Sequence, residues 1–344
     1  MANERALVVA PSWIGDVIMA EPLFARLKAQ NPQLKIDALA PAWVRPVLSR
    51  MAEIATVHAS PFAHGELNLG QRLQIARALK QEGYDRAYIL PNSFKSALMP
   101  WLAGIPRRIG FTGECRFGLI NERHRLDKAA LPLMVERFAQ LAEPTGAPLT
   151  RPVAPPRLVS SHGQQAAVRS ALGLAQEGDS NATRPVVLCP GAEYGAAKRW
   201  PARHFCTLAW ELVRSGHPVW LLGSSKDHAI AERIREQVPG DCRNLCGHTR
   251  IDEAIDLIAQ ASLVVCNDSG LMHIAAALDR PTIALFGSSS PDFTPPLSAK
   301  ATVMRTNIAC SPCFKRVCPL GHTDCLEKLL PAQVIEMCQA RLNG

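Results

Sequence analysis

Long apolar runs are missing from this chain. No stretch of its 344 residues approaches the ~18 consecutive apolar residues that a membrane-spanning helix requires. Near the start the apolar core is only residues 6–10, with Glu4 just before it, which argues against a secretory leader and points to a cytoplasmic protein. Aromatic residues are scarce, at 6% with three tyrosines, so a sandwich built on aromatic cross-strand pairs is disfavoured. The same scarcity, with basic residues dispersed rather than striped, argues against a nucleic-acid partner, which needs stacking platforms along a basic track. The dinucleotide fingerprint is absent as well. After the first apolar strand only Gly15 stands where three spaced glycines are needed, which counts against a nucleotide-binding dehydrogenase or epimerase. No Asp-x-Asp pair occurs, so no bridging divalent metal is indicated at a reacting centre, and no cofactor is expected.

What is present is an ordinary globular composition, 47% hydrophobic and 20% charged, long enough for two domains of ~100–200 residues each. Lys and Arg number 38 against 30 Asp and Glu, a net charge of +8 that suits a phosphorylated, nucleotide or acidic-lipid partner, or simply a solvated basic surface. Short apolar strands alternate with helical periodicity. Strands are expected at 6–10, 34–39, 54–57 and 86–90, with helices at 16–29, 41–50, 69–81 and 94–102. Prolines 144, 148, 152, 155 and 156 then crowd a stretch that forms neither a central strand nor a helix interior. The pattern restarts with strands at 185–189, 218–222, 262–266 and 282–286 and helices at 202–214, 226–237, 251–259 and 270–278. The expected fold class is therefore α/β, with two Rossmann-like doubly wound domains, residues 1–155 and 156–344, and a cleft between them. In such sheets ligands lie beyond the carboxyl ends of the strands.

Three strand-to-helix junctions carry chemistry. In residues 11–16 (PSWIGD), Asp16 either caps a helix or acts as a general base on a sugar hydroxyl. In residues 190–201 (PGAEYGAAKRWP), Gly191 and Gly195 permit close backbone approach, and Lys198 and Arg199 supply charge, as in a phosphate cradle. In residues 267–273 (NDSGLMH), Asp268 or Ser269 can cap a helix whose free amides suit an anion. His273 there is either packed or a donor to that anion. Residues 287–291 (GSSSP) read as a turn, with a polar pocket lip as the other reading. In the first half, Asn92, Ser93 and Lys95 sit at another such junction and, with Arg107 and Arg108, suit an acidic acceptor; a helix cap with exposed cations is the plainer reading. Together these suggest transfer from an activated diphosphate donor, Asp16 activating the acceptor and Lys198 neutralising the leaving diphosphate in place of a metal.

The segments PSWIGDV, LPNSFKSAL (90–98), PGAEYGAAKRWP and NDSGLMHIAAAL resemble glycosyltransferase family 9, the ADP-heptose:lipopolysaccharide heptosyltransferases, over the chain up to about residue 296. The residues match in particular the branch that adds a heptose to the first heptose of the inner core. The resemblance implies a GT-B architecture with the acceptor on the first domain and ADP-heptose on the second. It also implies an inverting, metal-independent transfer of L-glycero-D-manno-heptose to a lipid A–Kdo–heptose acceptor, by an enzyme bound peripherally at the cytoplasmic side of the inner membrane. Asp16 would be the base and Lys198 would meet the donor phosphates. Gly191, Asp268, Ser269, Gly270 and His273 would surround the donor, and Ser12, Asn92, Ser93, Lys95 and Arg108 the acceptor. A sibling acting on heptose-free Kdo–lipid A is the alternative, against which PNSFKSA argues.

Eleven cysteines are too many to ignore, but the count is odd and the chain too long for a disulfide scaffold. Cys115, Cys189, Cys206, Cys242, Cys246, Cys266 and Cys338 read as small buried hydrophobes. Cys310, Cys313, Cys318 and Cys325, with His322, form a tail cluster like one in some family members. Structural Zn²⁺, a redox-sensitive cluster and unligated thiols all remain open there, and catalysis is not expected to need it.

Overall fold

The computed structural model describes residues 4–62, 68–174 and 184–343. The chain divides into two compact units, Met1–Arg157 and Leu158–Gly344. The first holds six parallel strands, β1 (Arg5–Val9), β2 (Lys35–Pro41), β3 (Ile54–Ser60), β4 (Arg86–Ile89), β5 (Arg107–Phe111) and β6 (Glu122–His124), in the order β3-β2-β1-β4-β5-β6. The second repeats the plan with β7 (Val186–Cys189), β8 (Val219–Leu221), β9 (Cys242–Asn244), β10 (Leu263–Asn267), β11 (Thr282–Phe286) and β12 (Ala301–Arg305), all parallel, in the order β12-β11-β10-β7-β8-β9. Counted from its own first strand, each sheet runs 3-2-1-4-5-6. Strand order reverses between β1 and β4 in one unit and between β7 and β10 in the other, and such a switch point opens a crevice for a ligand.

The strands explain themselves. Helices cover both faces of a parallel sheet, so VVLC, LVVCN and TIALF are apolar without alternation and every residue of β7, β10 and β11 is buried. The helix Ala202–Arg214 buries Phe205, Leu208, Ala209 and Leu212 at helical spacing, leaving Arg203, Thr207 and Arg214 to solvent. Proline shortens two predicted helices. The expected helix 16–29 is broken at Ala20 into Ile14–Met19 and Glu21–Gln30, because the Pro22 ring would strike the carbonyl one turn back. The expected helix 41–50 shrinks to Arg45–Leu48, since Pro46 bars any turn upstream and Pro41 ends β2. Cys115 is exposed rather than buried, and Cys206 only partly covered; their positions lie outside the apolar strands that bury Cys189 and Cys266.

Asp37 and Glu21 sit deep in the first unit. Asp37, wholly buried in β2, accepts on Oδ2 from both Arg5 (2.9 Å) and the Tyr84 hydroxyl (3.0 Å), an ion pair that partly offsets its burial. Glu21, 3% exposed at the start of its helix, has only the lesser help of the Arg157 amide and charge against its burial. Burial, reinforced by the like charge of Glu53, pushes its carboxyl up to about 7. Its protonated form is therefore favoured by folding. The stability it contributes is full below about 4.5 and is lost as pH rises through 7, at a cost of about 3 kcal/mol once it is ionised. Glu21→Gln should raise the unfolding temperature at pH 8 and leave it nearly unchanged at pH 4, as followed by calorimetry.

Candidate active site

The second unit's switch point is built around one amide. Asn267 closes β10 with its side chain wholly buried. Its Nδ2 donates to the carbonyls of Pro190 (2.9 Å) and Gly191 (3.3 Å), while its Oδ1 accepts from the Trp200 amide (2.9 Å). One carboxamide thus ties both ends of the loop after β7 to the end of β10. Trp200 anchors that loop in the core, donating from Nε1 to Leu329 (2.8 Å) and stacking edge-on against Phe205.

Held in this way, Lys198 lies at the carboxyl edge of the sheet. Its Nζ is 2.5 Å from Asp268 Oδ2 and 4.9 Å from the centre of the Tyr194 ring. Asp268 also accepts from the Ser289 hydroxyl. The ammonium has three donors, so one carboxylate leaves others for a ligand. Asp268 does not cap the following helix, and Ser269, its N-cap residue, makes no side-chain capping bond either. The helix Gly270–Ala277 therefore begins with its amides free of side-chain capping, and the buried Ser269 and Ser288 hydroxyls have no partner. Residues 288–290 are not an outer turn: all three serines are buried at the carboxyl end of β11. The sequence signal was their place after an apolar strand, which a turn reading discounted.

His273 is 5% exposed, and burial, with Lys198 adding to it, pushes its imidazole down to about 4 against the opposing pull of Asp268. It is neutral at pH 7 and packs beneath the pair as a ring able to donate one N–H. The two loop glycines serve packing rather than an open cradle. A Cβ on Gly191 would run into the Asp227 carboxylate, and one on Gly195 into the backbone of Arg316. Asp227 is fixed by the Ser224 amide (3.0 Å) and hydroxyl (2.8 Å).

The first unit's switch point gathers a different set. Ser12 follows β1, and its carbonyl accepts from Trp43 Nε1 at 2.8 Å. Asp16 lies in the first turn of the helix Ile14–Met19 and is partly exposed. After β4, Ser93 caps the helix Phe94–Leu102 through the Ser96 amide (3.3 Å), and the Lys95 carbonyl accepts from the buried Arg72 (3.2 Å). Asn92 is exposed, its Oδ1 gripped by Arg116, whose guanidinium also donates to Pro91 (2.8 Å) and Phe111 (2.5 Å). Arg116 is 3% exposed and was not singled out in the sequence, because nothing in its neighbourhood marks it. Arg107 and Arg108 are not brought to this end. They begin β5, level with Arg86 at the amino edge of the sheet. Arg107 forks onto Glu122 (2.6 and 3.0 Å), and Arg108 is spent on the carbonyls of Ile105 (2.6 Å) and Leu119 (2.7 Å).

Comparisons with known proteins agree among themselves. The family model described as glycosyltransferase family 9 (heptosyltransferase) matches residues 72–324. Lipopolysaccharide heptosyltransferase 2 of Salmonella typhimurium is 45% identical over 98% of this chain and 99% of its own length. Its Escherichia coli counterpart is 45% identical over 98% of both. The solved structure of E. coli ADP-heptose lps heptosyltransferase II superposes with a TM-score of 0.86 at 44% identity, covering 98% of each chain. A family 9 glycosyl transferase from Veillonella parvula, 21% identical over 99% of this chain and 98% of its own, shares the fold with a TM-score of 0.83.

Asn267→Ala would strand two carbonyls and an amide in the core. Chemical denaturation should show a loss of roughly 3 kcal/mol, at about 1–3 kcal/mol for each unsatisfied group with partial relaxation. A loss under about 0.5 kcal/mol would mean the loop is held by other contacts.

Proposed function

The chain belongs to glycosyltransferase family 9, the heptosyltransferases, and from that premise we propose the following reaction. The enzyme moves L-glycero-D-manno-heptose from ADP-heptose onto the first heptose of the lipopolysaccharide inner core, with inversion and with no metal at the reacting centre. The near full-length similarity to heptosyltransferase 2 proteins supports the donor and acceptor. The observation that carries the chemistry is the Lys198–Asp268 pair set beside the uncapped start of the helix Gly270–Ala277.

In this reading the donor diphosphate meets the free N–H groups of Lys198, the first amides of that helix, and the Ser269 and Ser288 hydroxyls. Asp268 orients Lys198, and the neutral His273 adds a donor without adding charge. The Asp16 carboxylate takes the proton of the acceptor hydroxyl as its oxygen attacks the anomeric carbon. The new C–O bond forms on the face opposite the diphosphate, whose C–O bond breaks with its electron pair. ADP leaves with negative charge that the lysine and helix start stabilise. Ser12, Asn92, Ser93 and Lys95 contact the phosphorylated acceptor. Arg116, through Asn92, is a positioning residue. Arg108 is left out, its donors being committed at the other edge of the sheet.

Among the described residues no helix is long and apolar enough to cross a membrane. The enzyme reaches its lipid-linked acceptor by peripheral contact at the cytoplasmic face of the inner membrane, where a net charge of +8 favours acidic headgroups.

Two measurements test the proposal. Purified enzyme with ADP-heptose should glycosylate mono-heptosylated Kdo–lipid A and leave heptose-free Kdo–lipid A nearly untouched, with a rate indifferent to added Mg²⁺; the reverse preference would assign it to the sibling activity. Asp16→Asn should lower kcat by about 10²–10⁴-fold while ADP affinity stays within about twofold, the range expected for loss of a general base. Near-normal turnover in that variant would remove Asp16 from the base role.

A further inference from the structure

The reaction just described leaves the cysteine-rich segment 310–325 without a part. Cys310, Cys313, Cys318 and Cys325 line one small cavity of about 40 Å³, whose wall is completed by Ala197 and Ser288 from the loops that frame Lys198 and Asp268. His322 reaches the same cavity, but its Nδ1 is taken by the Asp324 amide (2.9 Å). We infer that these four thiols form a structural site for one thiophilic divalent ion, Zn²⁺ by chemistry, which clamps the segment onto the donor loops.

Four features support this. The spacing opens with Cys-x-x-Cys, which lets two sulfurs of one turn share an ion. The turn after Cys318 aims the backbone amides of Thr323, Leu320, Gly321 and His322 at its sulfur. Such N–H···S bonds favour a thiolate, the form that binds metal. Gly321, at φ +75°, supplies the left-handed residue that this turn needs. Cys325 is buried and faces the same small cavity as Cys310, Cys313 and Cys318, so the four side chains already converge. As the side chains stand, no three Cys, His, Asp or Glu residues among those described are arranged to hold an ion. Binding therefore requires the four side chains to close up on the ion. Four thiols lose four protons to solvent and the resulting site carries two net negative charges.

The clamp has a reason to exist. The Phe314 amide donates to Ser288 O (2.6 Å) and the Ser311 hydroxyl to Gly287 O (2.7 Å). The Tyr194 hydroxyl donates to Phe314 O (3.0 Å) and the Ala197 amide to Arg316 O (3.1 Å). Both loops of the donor site thus lean on a segment with few apolar anchors, in which Phe314, Val317 and Leu320 are exposed. The consequence for the donor rests on the reaction proposed above; the metal content does not.

Full-length protein, purified under reducing conditions without chelator, should carry one zinc per chain by plasma mass spectrometry. Exchange with Co²⁺ should give the thiolate charge-transfer bands and strong visible absorption of a tetrahedral sulfur site. Cys313→Ser and Cys318→Ser, both at partly exposed positions, should lose at least about tenfold in zinc affinity while keeping the native circular dichroism, and Cys115→Ser should keep its zinc. A chain that carries no zinc, shows no cobalt charge-transfer band, and gives four freely reacting thiols in this segment overturns the site. So does retention of full zinc by both serine variants. A chain that binds zinc through these thiols but does not transfer heptose would separate this inference from the reaction.

Discussion

The carboxamide of Asn267 is the constraint on which the second unit's chemistry depends. An amide side chain with no exposure must satisfy both its donor and its acceptor within the protein, and here it does so across two loops. That requirement brings residues some 70 positions apart in the chain to one place, so that Lys198 meets Asp268 at 2.5 Å. The remaining features follow from it. Asp268 turns to the ammonium, the N-cap Ser269 makes no capping bond, and an uncapped helix start beside an ammonium is a place for an anion.

The two units share one strand order but place opposite chemistry at the reversal. In the second unit a cation, a helix start and unpaired hydroxyls converge. In the first, the switch point offers Asp16, Ser93 and an asparagine held by a buried guanidinium. One suits a diphosphate, the other a hydroxyl to be deprotonated beside anionic groups. Topology alone does not distinguish these roles, because both sheets are the same solution to covering a parallel sheet on two faces. Side chains at the strand ends do.

Much of this was legible from the residues alone. Long central strands such as LVVCN and TIALF, and helices such as 69–81, 94–102 and 202–214, announce themselves by unbroken or periodic apolarity. The outer strands β5, β6, β9 and β12 do not. RRIGF, ERH and CRN are short or polar, and ATVMR is half-exposed, so little in their composition separates them from loops. Arg107 and Arg108 show the consequence: grouped in the sequence with Asn92, Ser93 and Lys95, they start β5 and lie at its amino edge instead. The glycines of the Lys198 loop illustrate a second limit. A sequence says that a side chain is absent but not what fills the space, and the Asp227 carboxylate lies 36 positions beyond Gly191. Arg116 was hidden for the same reason, since its partners Pro91 and Asn92 are distant in the chain.

Calorimetric titration of ADP into the wild-type protein and Lys198→Ala tests the central claim most directly, that the paired ammonium at the second switch point holds the diphosphate. The account predicts that the variant, folded by circular dichroism, binds ADP at least about tenfold more weakly, consistent with one charge-assisted hydrogen bond of about 1.5–3 kcal/mol. Equal affinity for ADP in the two proteins would contradict it.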